Sequence, residues 1–468
     1  MKTKLTLSFL SIFFLISTAS CGSSKEALEE ITHLSQDCPG ETVPTEVHVD
    51  CFMHEKENSA TAFAVLKSPN PKHEPILFLH GGPGGRSVID RHIWLTPRSK
   101  LLSTHDLILV DQKGSGESSP SLDCWEVDQG LNKDSISACK NRLSSDGINF
   151  SSYQVKGIAE DIAQLRVSLG IKKWNLYGVS FGSRIALELL SIDGDAVNSA
   201  VLDSPLPPHV PAYDSLPSGS ERAINLALDN CQKIGECDLS LLNKEIYDCS
   251  HTENLLSGCL GDLLGELNKN PILFSGPESN ITVDDSTFAF ELVRTLAHPD
   301  GKNVVPKAVM LALDGRLAEA MQSLLRINIS GYSKGDALSE GVQYSSECLD
   351  ELPKNNPSIE KYSTPLASAL SKREETLQEI CAIWTPGEVL IKKHNPKSFR
   401  TETLILSGLL DPVTPASWSL KTKESLPNAI LIQRENWTHA PSLNDECAKK
   451  LVYEFFDNSR WSVENPPC

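Results

Sequence analysis

The five residues Gly178-Val179-Ser180-Phe181-Gly182 lie where the apolar run Trp174 to Tyr177 ends and a helix-patterned segment, Ser183 to Ser191, begins. A chain that turns this sharply from strand to helix brings side chains at the base of the turn into collision. Glycines at 178 and 182 relieve that crowding. The serine between them is left exposed above the strand end with the next backbone N–H beside it, the position of a nucleophile. Taken alone, the five residues fit an ordinary strand-to-helix turn with a structural serine equally well, so the rest of the chain has to decide.

A serine used as a nucleophile needs a base and an acid that orients the base, and on an elbow of this kind the two follow it in the order acid, histidine. Glu402 to Ser407 reads as a buried strand that runs into Gly408-Leu409-Leu410-Asp411-Pro412-Val413-Thr414-Pro415, a turn followed by a helix start. Asp411 therefore stands at a strand's C-terminal end. The next apolar run is Ala429 to Ile432, followed by Trp437-Thr438-His439 and an amphipathic stretch from Asp445 to Phe456. His439 is the only histidine after Asp411. Asp203, at the end of the strand Ala200 to Leu202, is the competing acid. The expected roles are Ser180 as nucleophile, His439 as general base and then acid, and Asp411 as the group that fixes the histidine tautomer.

Upstream, the short buried strand Pro75 to Leu79 opens into His80-Gly81-Gly82-Pro83-Gly84-Gly85. Backbone N–H groups in such a turn can reach a developing oxyanion, and the sequence assigns that job to Gly82 together with Phe181. The loop lacks a Gly-Lys-Ser/Thr ending and the Gly-x-Gly-x-x-Gly spacing, which argues against a phosphate cradle. His80 reads as structural. A second strand, Asp106 to Val110, leads into Asp111-Gln112-Lys113-Gly114-Ser115-Gly116-Glu117-Ser118, where Asp111 is expected to brace the turn.

These residues together resemble the α/β-hydrolase serine peptidases that include the prolyl aminopeptidases and the secreted tripeptidyl aminopeptidases. The likeness is carried by His80 to Gly85, Asp111 to Ser118, Asp161 to Gly170, Tyr177 to Arg184, Val201 to Pro205 and Leu404 to Pro415. Glu347-Cys348-Leu349-Asp350-Glu351, with Cys381 and Trp384, is similar to the lid of the tripeptidyl-aminopeptidase-like branch. The resemblance implies an α/β-hydrolase fold: a mostly parallel central sheet flanked by helices, with a largely helical lid inserted after strand 6. It implies a core over residues 61–205 and 401–468, the latter a TAP-like region, and a lid over 206–400. Three departures stand out: Lys113 where the family has arginine, Phe181 where it has tyrosine or tryptophan, and Thr438-His439-Ala440 in place of Gly-His-Gly. The first removes a bidentate partner.

Leu206 to about Arg400 carries mostly helical pattern, for example Glu221 to Asn230, Val305 to Leu313 and Leu317 to Leu325. An insertion at this point screens the site and selects substrates. An aminopeptidase must also hold a protonated N-terminal amine, and Glu347, Asp350 and Glu351 are the candidate anchors.

Lys2 and Lys4 precede an apolar stretch from Leu5 to Ile16, too short to span a bilayer, and Ser17-Thr18-Ala19-Ser20-Cys21 follows. Residues 1–21 thus read as a signal peptide with a lipoprotein-type site, Cys21 being lipidated, and 22–60 as a tether with the first strand. Setting Cys21 aside, the other cysteines of the thirteen are even in number, enough for disulfides in an oxidising compartment. Local spacing suggests Cys38 with Cys51, Cys124 with Cys139, Cys231 with Cys237, Cys249 with Cys259, Cys348 with Cys381, and Cys447 with Cys468. Neither the cysteine nor the histidine spacing suits a metal site. The net charge of −18 and the lack of a basic patch argue against nucleic acid.

The expectation is therefore an extracytoplasmic enzyme, either a bacterial lipoprotein of the outer membrane or periplasm or a secreted protein, that touches the membrane only through Cys21. It is a serine exopeptidase acting on peptides without cofactor or metal. A carboxylesterase of the same fold is the alternative, and a noncatalytic binding lipoprotein is the reading from another class.

Overall fold

Buried apolar runs of four to seven residues alternate with amphipathic helices along this chain, and in the computed structural model they build one sheet flanked by helices. The residues described are 34–40, 47–95, 100–128, 130–210, 212–242, 255–275, 280–330, 338–351, 362–386 and 399–457. Strands β1 (Leu34–Gln36), β2 (His48–Lys56), β3 (Ser59–Lys67), β4 (Ile76–Leu79), β5 (Leu107–Val110), β6 (Trp174–Val179) and β7 (Val197–Asp203) precede the lid. Strands β10 (Glu402–Gly408) and β11 (Ala429–Arg434) follow it. The nine strands stand in the order β1-β2-β3-β5-β4-β6-β7-β10-β11. Pairings are antiparallel from β1 to β5 and parallel from β5 through to β11.

A parallel sheet is covered on both faces, so its strands are mostly apolar and the pleat sends alternate residues to opposite cores. In β4, Leu77 and Leu79 join Leu176 and Ile185 on one side. Ile76 and Phe78 join Tyr177 and Phe455 on the other. The first core is roofed by α2 (Val155–Ser168) and α3 (Phe181–Ile192), and α1 (Lys133–Ser145) adds Ile136, Cys139 and Leu143 to it. The second is closed by the helix Glu446–Asp457, whose Leu451, Val452, Phe455 and Phe456 repeat at helical spacing.

Between β7 and β10 the chain leaves the sheet. It forms α4 (Ala212–Lys233), α5 (Leu256–Lys269), a hairpin of β8 (Ile272–Ser275) and β9 (Asn280–Val283), α6 (Asp285–Ala297), α7 (Gly301–Leu313), α8 (Leu317–Ser330), α9 (Glu340–Ser346) and α10 (Pro365–Trp384). These elements bury a core of their own around Leu228, Leu260, Leu292 and Leu313. In chain order the insertion follows the seventh strand and not the sixth, because the three-residue β1 adds an edge strand ahead of the others. Its place, directly after the strand that follows the nucleophile helix, is the expected one.

Four disulfides join the cysteines that local spacing pairs: Cys38–Cys51, Cys124–Cys139, Cys231–Cys237 and Cys348–Cys381. Cys259 and Cys447 are disulfide-bonded as well. Cys249 and Cys468, their expected partners, lie outside the described residues, as do Cys21 and the apolar leader. Among the described residues no helix is long and apolar enough to cross a membrane.

Candidate active site

Ser180 joins β6 to α3 with φ 54° and ψ −124°, a conformation that a residue with a Cβ rarely adopts. Its N–H donates to the Asp203 carbonyl at 2.9 Å, which ties the turn to the neighbouring strand. The flanking glycines are required by close packing. A Cβ on Gly178 would lie 2.6 Å from the Gly182 carbonyl oxygen, and one on Gly182 would lie 1.9 Å from the Leu79 carbonyl oxygen. Both obstacles are backbone and cannot swing aside. Gly182→Ala is therefore expected to lower stability by about 3 kcal/mol, measured by denaturant unfolding. An unchanged midpoint would show that this turn tolerates a side chain.

His439 follows β11 on a buried loop, and its Nδ1 lies 2.9 Å from Asp411 Oδ2. The Asp411 carboxylate is fully buried at the end of β10. Its Oδ1 accepts from the N–H groups of Val413 and Thr414, each at 2.8 Å, and its Oδ2 accepts from the Thr414 hydroxyl at 2.7 Å. Burial acts to raise the Asp411 pKa, but His439 and the Thr414 donors outweigh it and hold the group below its ordinary value. For His439, burial disfavours the charged ring, yet the Asp411 charge and hydrogen bond leave its pKa raised. The competing acid, Asp203, points elsewhere. Its Oδ2 accepts from both the N–H and the hydroxyl of Ser442, and Tyr177 donates to Ser442 at 2.6 Å. Burial pushes Asp203 up to about 6. Ser204 adds a bond from the Ala440 N–H at 3.0 Å, so this network fixes the loop that carries His439.

The glycine loop after β4 lies against the nucleophile: a Cβ on Gly81 would come 3.2 Å from Ser180 Cβ. Gly82 lines the same cleft as Ser180 and His439. Phe181 opens α3, where first-turn N–H groups have no partner within the helix and the helix dipole is positive. Two residues hold the loop from below. Asp111 accepts from the N–H groups of Ser87 and Val88 at 2.6 and 2.9 Å and from that of Glu117 at 2.9 Å, and burial pushes it up to about 6. Gln112 donates to the carbonyls of His80 and Gly81 at 2.9 Å and accepts from the Gly84 N–H at 2.8 Å. Gln112 has no signature in the sequence, since a glutamine after a strand announces no long-range partner.

The three lid acids lie in different surroundings. Asp350 accepts from the Val155 N–H at the start of α2 at 2.9 Å, and from Ser346 at 3.1 Å. Glu351 is buried in an ion pair with Arg184 of α3 at 3.0 Å. Neither lines the cleft at Ser180; both fasten the lid to the core. Glu347 instead faces a neighbouring chamber of 420 Å³, where Gln343 donates to it at 3.0 Å. A second buried carboxylate, Glu374 of α10, lines that chamber too, and the sequence hid it in a charge-rich helix. The chamber and the 560 Å³ cleft at Ser180 share Phe290, Val293 and Arg373 as a common wall.

Residues 74–219 match the family of the alpha/beta hydrolase fold, and residues 367–468 match the family of TAP-like proteins. The probable proline iminopeptidase of Streptomyces coelicolor is 28% identical over 133 residues, 28% of this chain and 33% of that protein. That of Leptolyngbya boryana is 31% identical over 121 residues, 26% of this chain and 28% of that protein. The chain thus matches a third or less of the length of these curated relatives. Among solved structures, an alpha/beta hydrolase fold protein from Chitinophaga pinensis is 15% identical, covering 87% of this chain and 97% of that one with a TM-score of 0.41. With one family match spanning the elbow and the other running past Asp411 and His439, the chain belongs to the α/β-hydrolase family that contains the prolyl and tripeptidyl aminopeptidases.

Proposed function

We propose that this chain is an extracytoplasmic serine exopeptidase that removes residues or tripeptides from the amino termini of peptides through an acyl-enzyme on Ser180. The observation that carries this reading is the 2.9 Å pair of His439 and buried Asp411 on the cleft that holds the strained Ser180. His439 takes the proton from Ser180 as its oxygen attacks the carbonyl, and Asp411 stabilises the imidazolium that forms. The N–H groups of Gly82 and Phe181 receive the oxyanion. His439 then protonates the leaving amine, and water releases the acyl group by the same steps. Secretion, with lipidation at Cys21, belongs to the same reading; the four disulfides support an oxidising compartment.

The amine anchor in this reading is the chamber with Glu347 and Glu374, which are 8% and 6% exposed. Among the described residues that line the chamber, two buried carboxylates face one cation, Arg373, and the surplus negative charge favours an incoming amine. Helix α6 shows how far the linings of the chamber and of the cleft that holds Ser180 are displaced from each other. Ser286, Thr287, Phe290 and Val293 line the chamber, whereas Phe290, Val293, Arg294 and Ala297 line the cleft. The offset is roughly 7 Å along the helix at about 1.5 Å per residue, or about two residues of extended peptide. An amine held there reaches Ser180 through two or three residues more readily than through one, which favours release of short oligopeptides.

Replacing both glutamates, Glu347→Gln with Glu374→Gln, is expected to shrink the kcat/KM preference for a free-amine tripeptide anilide over its N-acetyl form by roughly ten- to a hundredfold. An equal loss on both substrates would remove the chamber from the account. Turnover of short esters with no peptide turnover would favour the esterase.

A further inference from the structure

The lid meets the glycine loop after β4 through Ser339, the fully buried residue that precedes α9. Its N–H donates to the Gly84 carbonyl at 3.1 Å. A Cβ on Gly84 would lie 2.7 Å from the Ser339 carbonyl oxygen and 2.8 Å from its nitrogen, so the two backbones leave no room for a side chain between them. Gly84 is thereby held from both sides. Gln112 of the core accepts from its N–H at 2.8 Å, and the lid donates to its carbonyl.

The oxyanion donor Gly82 depends on this grip. Among the described residues no hydrogen bond holds Gly82 itself, so packing has to place it. A Cβ there would meet the nitrogens of Gly84 and Gly85 at 2.8 and 2.9 Å and Leu338 Cδ2 at 3.4 Å. In so tight a turn the position of Gly84 sets that of Gly82, and Leu338, which lines the cleft, packs over it from the lid. An oxyanion donor contributes only when it is aimed at the place where the charge develops, and a misplacement of about 1 Å costs roughly a hundredfold.

The lid end that carries Ser339 is itself fixed. The Ser339 hydroxyl donates to the Gly114 carbonyl at 3.0 Å, the Gly341 N–H donates to the Leu122 carbonyl at 3.0 Å, and Glu340 accepts from the Cys124 N–H at 3.1 Å. All three partners belong to the core segment after β5. At the other end of α9 stands Glu347, on the wall of the chamber. One short helix thus joins the chamber to the oxyanion loop.

We propose that Ser339 is a positioning residue for the oxyanion hole: besides selecting substrates, the lid completes the donor loop by fixing Gly84 and, through it, Gly82. This rests on the acyl transfer at Ser180 set out above. The contact acts on the transition state and leaves ground-state binding alone, so its loss appears in kcat and not in KM.

Two variants separate the groups of Ser339. Ser339→Ala removes the hydroxyl and keeps the N–H. Ser339→Pro removes both, at a residue whose φ of −78° already suits proline. Active enzyme is counted by complete fluorophosphonate labelling, so unfolded protein drops out. Relative to Ser339→Ala, Ser339→Pro is expected to lose about a hundredfold in kcat on a free-amine tripeptide anilide, with KM within about threefold. A tripeptide trifluoromethyl ketone supplies the readout specific to the oxyanion. Ser180 Oγ bonds to its carbonyl carbon, the carbonyl electron pair moves onto oxygen, and His439 keeps the serine proton. Its Ki should rise by the factor by which kcat/KM falls, while the Ki of the corresponding alcohol, which forms no oxyanion, stays within about threefold.

Equal kcat in the two variants overturns the proposal, and so does a loss of kcat that leaves the ketone Ki unmoved. If the proline variant does not fold, the α-hydroxy acid counterpart of alanine, placed at 339 by nonsense suppression, deletes the N–H without adding a ring and is held to the same expectations. Short esters are run in parallel. Esters turned over with the expected loss, and peptides not at all, would sink the aminopeptidase reading while Ser339 keeps its role.

Discussion

Replacing Ser180 with alanine is expected to lower kcat for a free-amine peptide anilide by roughly 10⁴- to 10⁶-fold, with the folded state intact. The oxygen is the sole group lost, because alanine keeps the Cβ and therefore the φ of 54° that the turn imposes. Backbone strain of this class costs about 1–3 kcal/mol, and glycine would relieve it. Ser180→Gly should thus be as inactive as Ser180→Ala yet about 1 kcal/mol more stable, after allowing for the extra freedom glycine has when unfolded. Kinetics and denaturant unfolding on the pair check both halves. Residual turnover above one per cent in either variant would mean that another group attacks. Equal stability would mean that the elbow is not strained.

The second large effect is expected for Asp411→Asn, about 10⁴-fold in kcat, and its origin can be read from the hydrogen bonds. Two N–H groups, of Val413 and Thr414, already fix which oxygen is Oδ1. An asparagine would keep its carbonyl there and turn its NH₂ toward His439, where Oδ2 now accepts. His439 Nδ1 then has to accept a hydrogen bond, so Nε2 carries the ring hydrogen and cannot take a proton from Ser180. The pH profile gives a separate signature. The base works when neutral, so activity rises with pH through the His439 pKa. In the wild type that pKa is raised above 6.5, burial being outweighed by Asp411. Without the carboxylate the burial effect prevails and the acid limb of kcat/KM moves to lower pH. A limb that stays in place would show that Asp411 does not govern His439.

The contrast between Asp411 and Asp203 shows what the sequence could and could not reveal. Both acids end parallel strands, and chain order allows either to serve. Only the tertiary contacts separate them, Asp203 being held by Ser442 beneath the histidine loop and Asp411 by Val413 and Thr414 beside the ring. The elbow was legible because its requirement is local: two glycines, four residues apart, where a strand meets a helix. Short sheet strands were legible for a similar reason, since burial on both faces leaves them mostly apolar. Gln112 was not, because its partners lie some thirty residues upstream in a loop with no matching pattern. In the lid, Glu347 and Glu351 look alike as sequence, and only packing turns one toward a chamber and the other onto Arg184. The β8–β9 hairpin stayed hidden inside a helical stretch because each strand has only four residues.

The most direct test of the account is to treat the full chain with a fluorophosphonate, map the adduct by peptide mass spectrometry, and follow cleavage of a free-amine and an N-acetylated tripeptide anilide as labelling proceeds. The account predicts one adduct, on Ser180, absent from Ser180→Ala, with free-amine cleavage lost in proportion to labelling and little cleavage of the blocked substrate at any time. No adduct at Ser180, or peptide cleavage that persists after Ser180 is fully labelled, would contradict it.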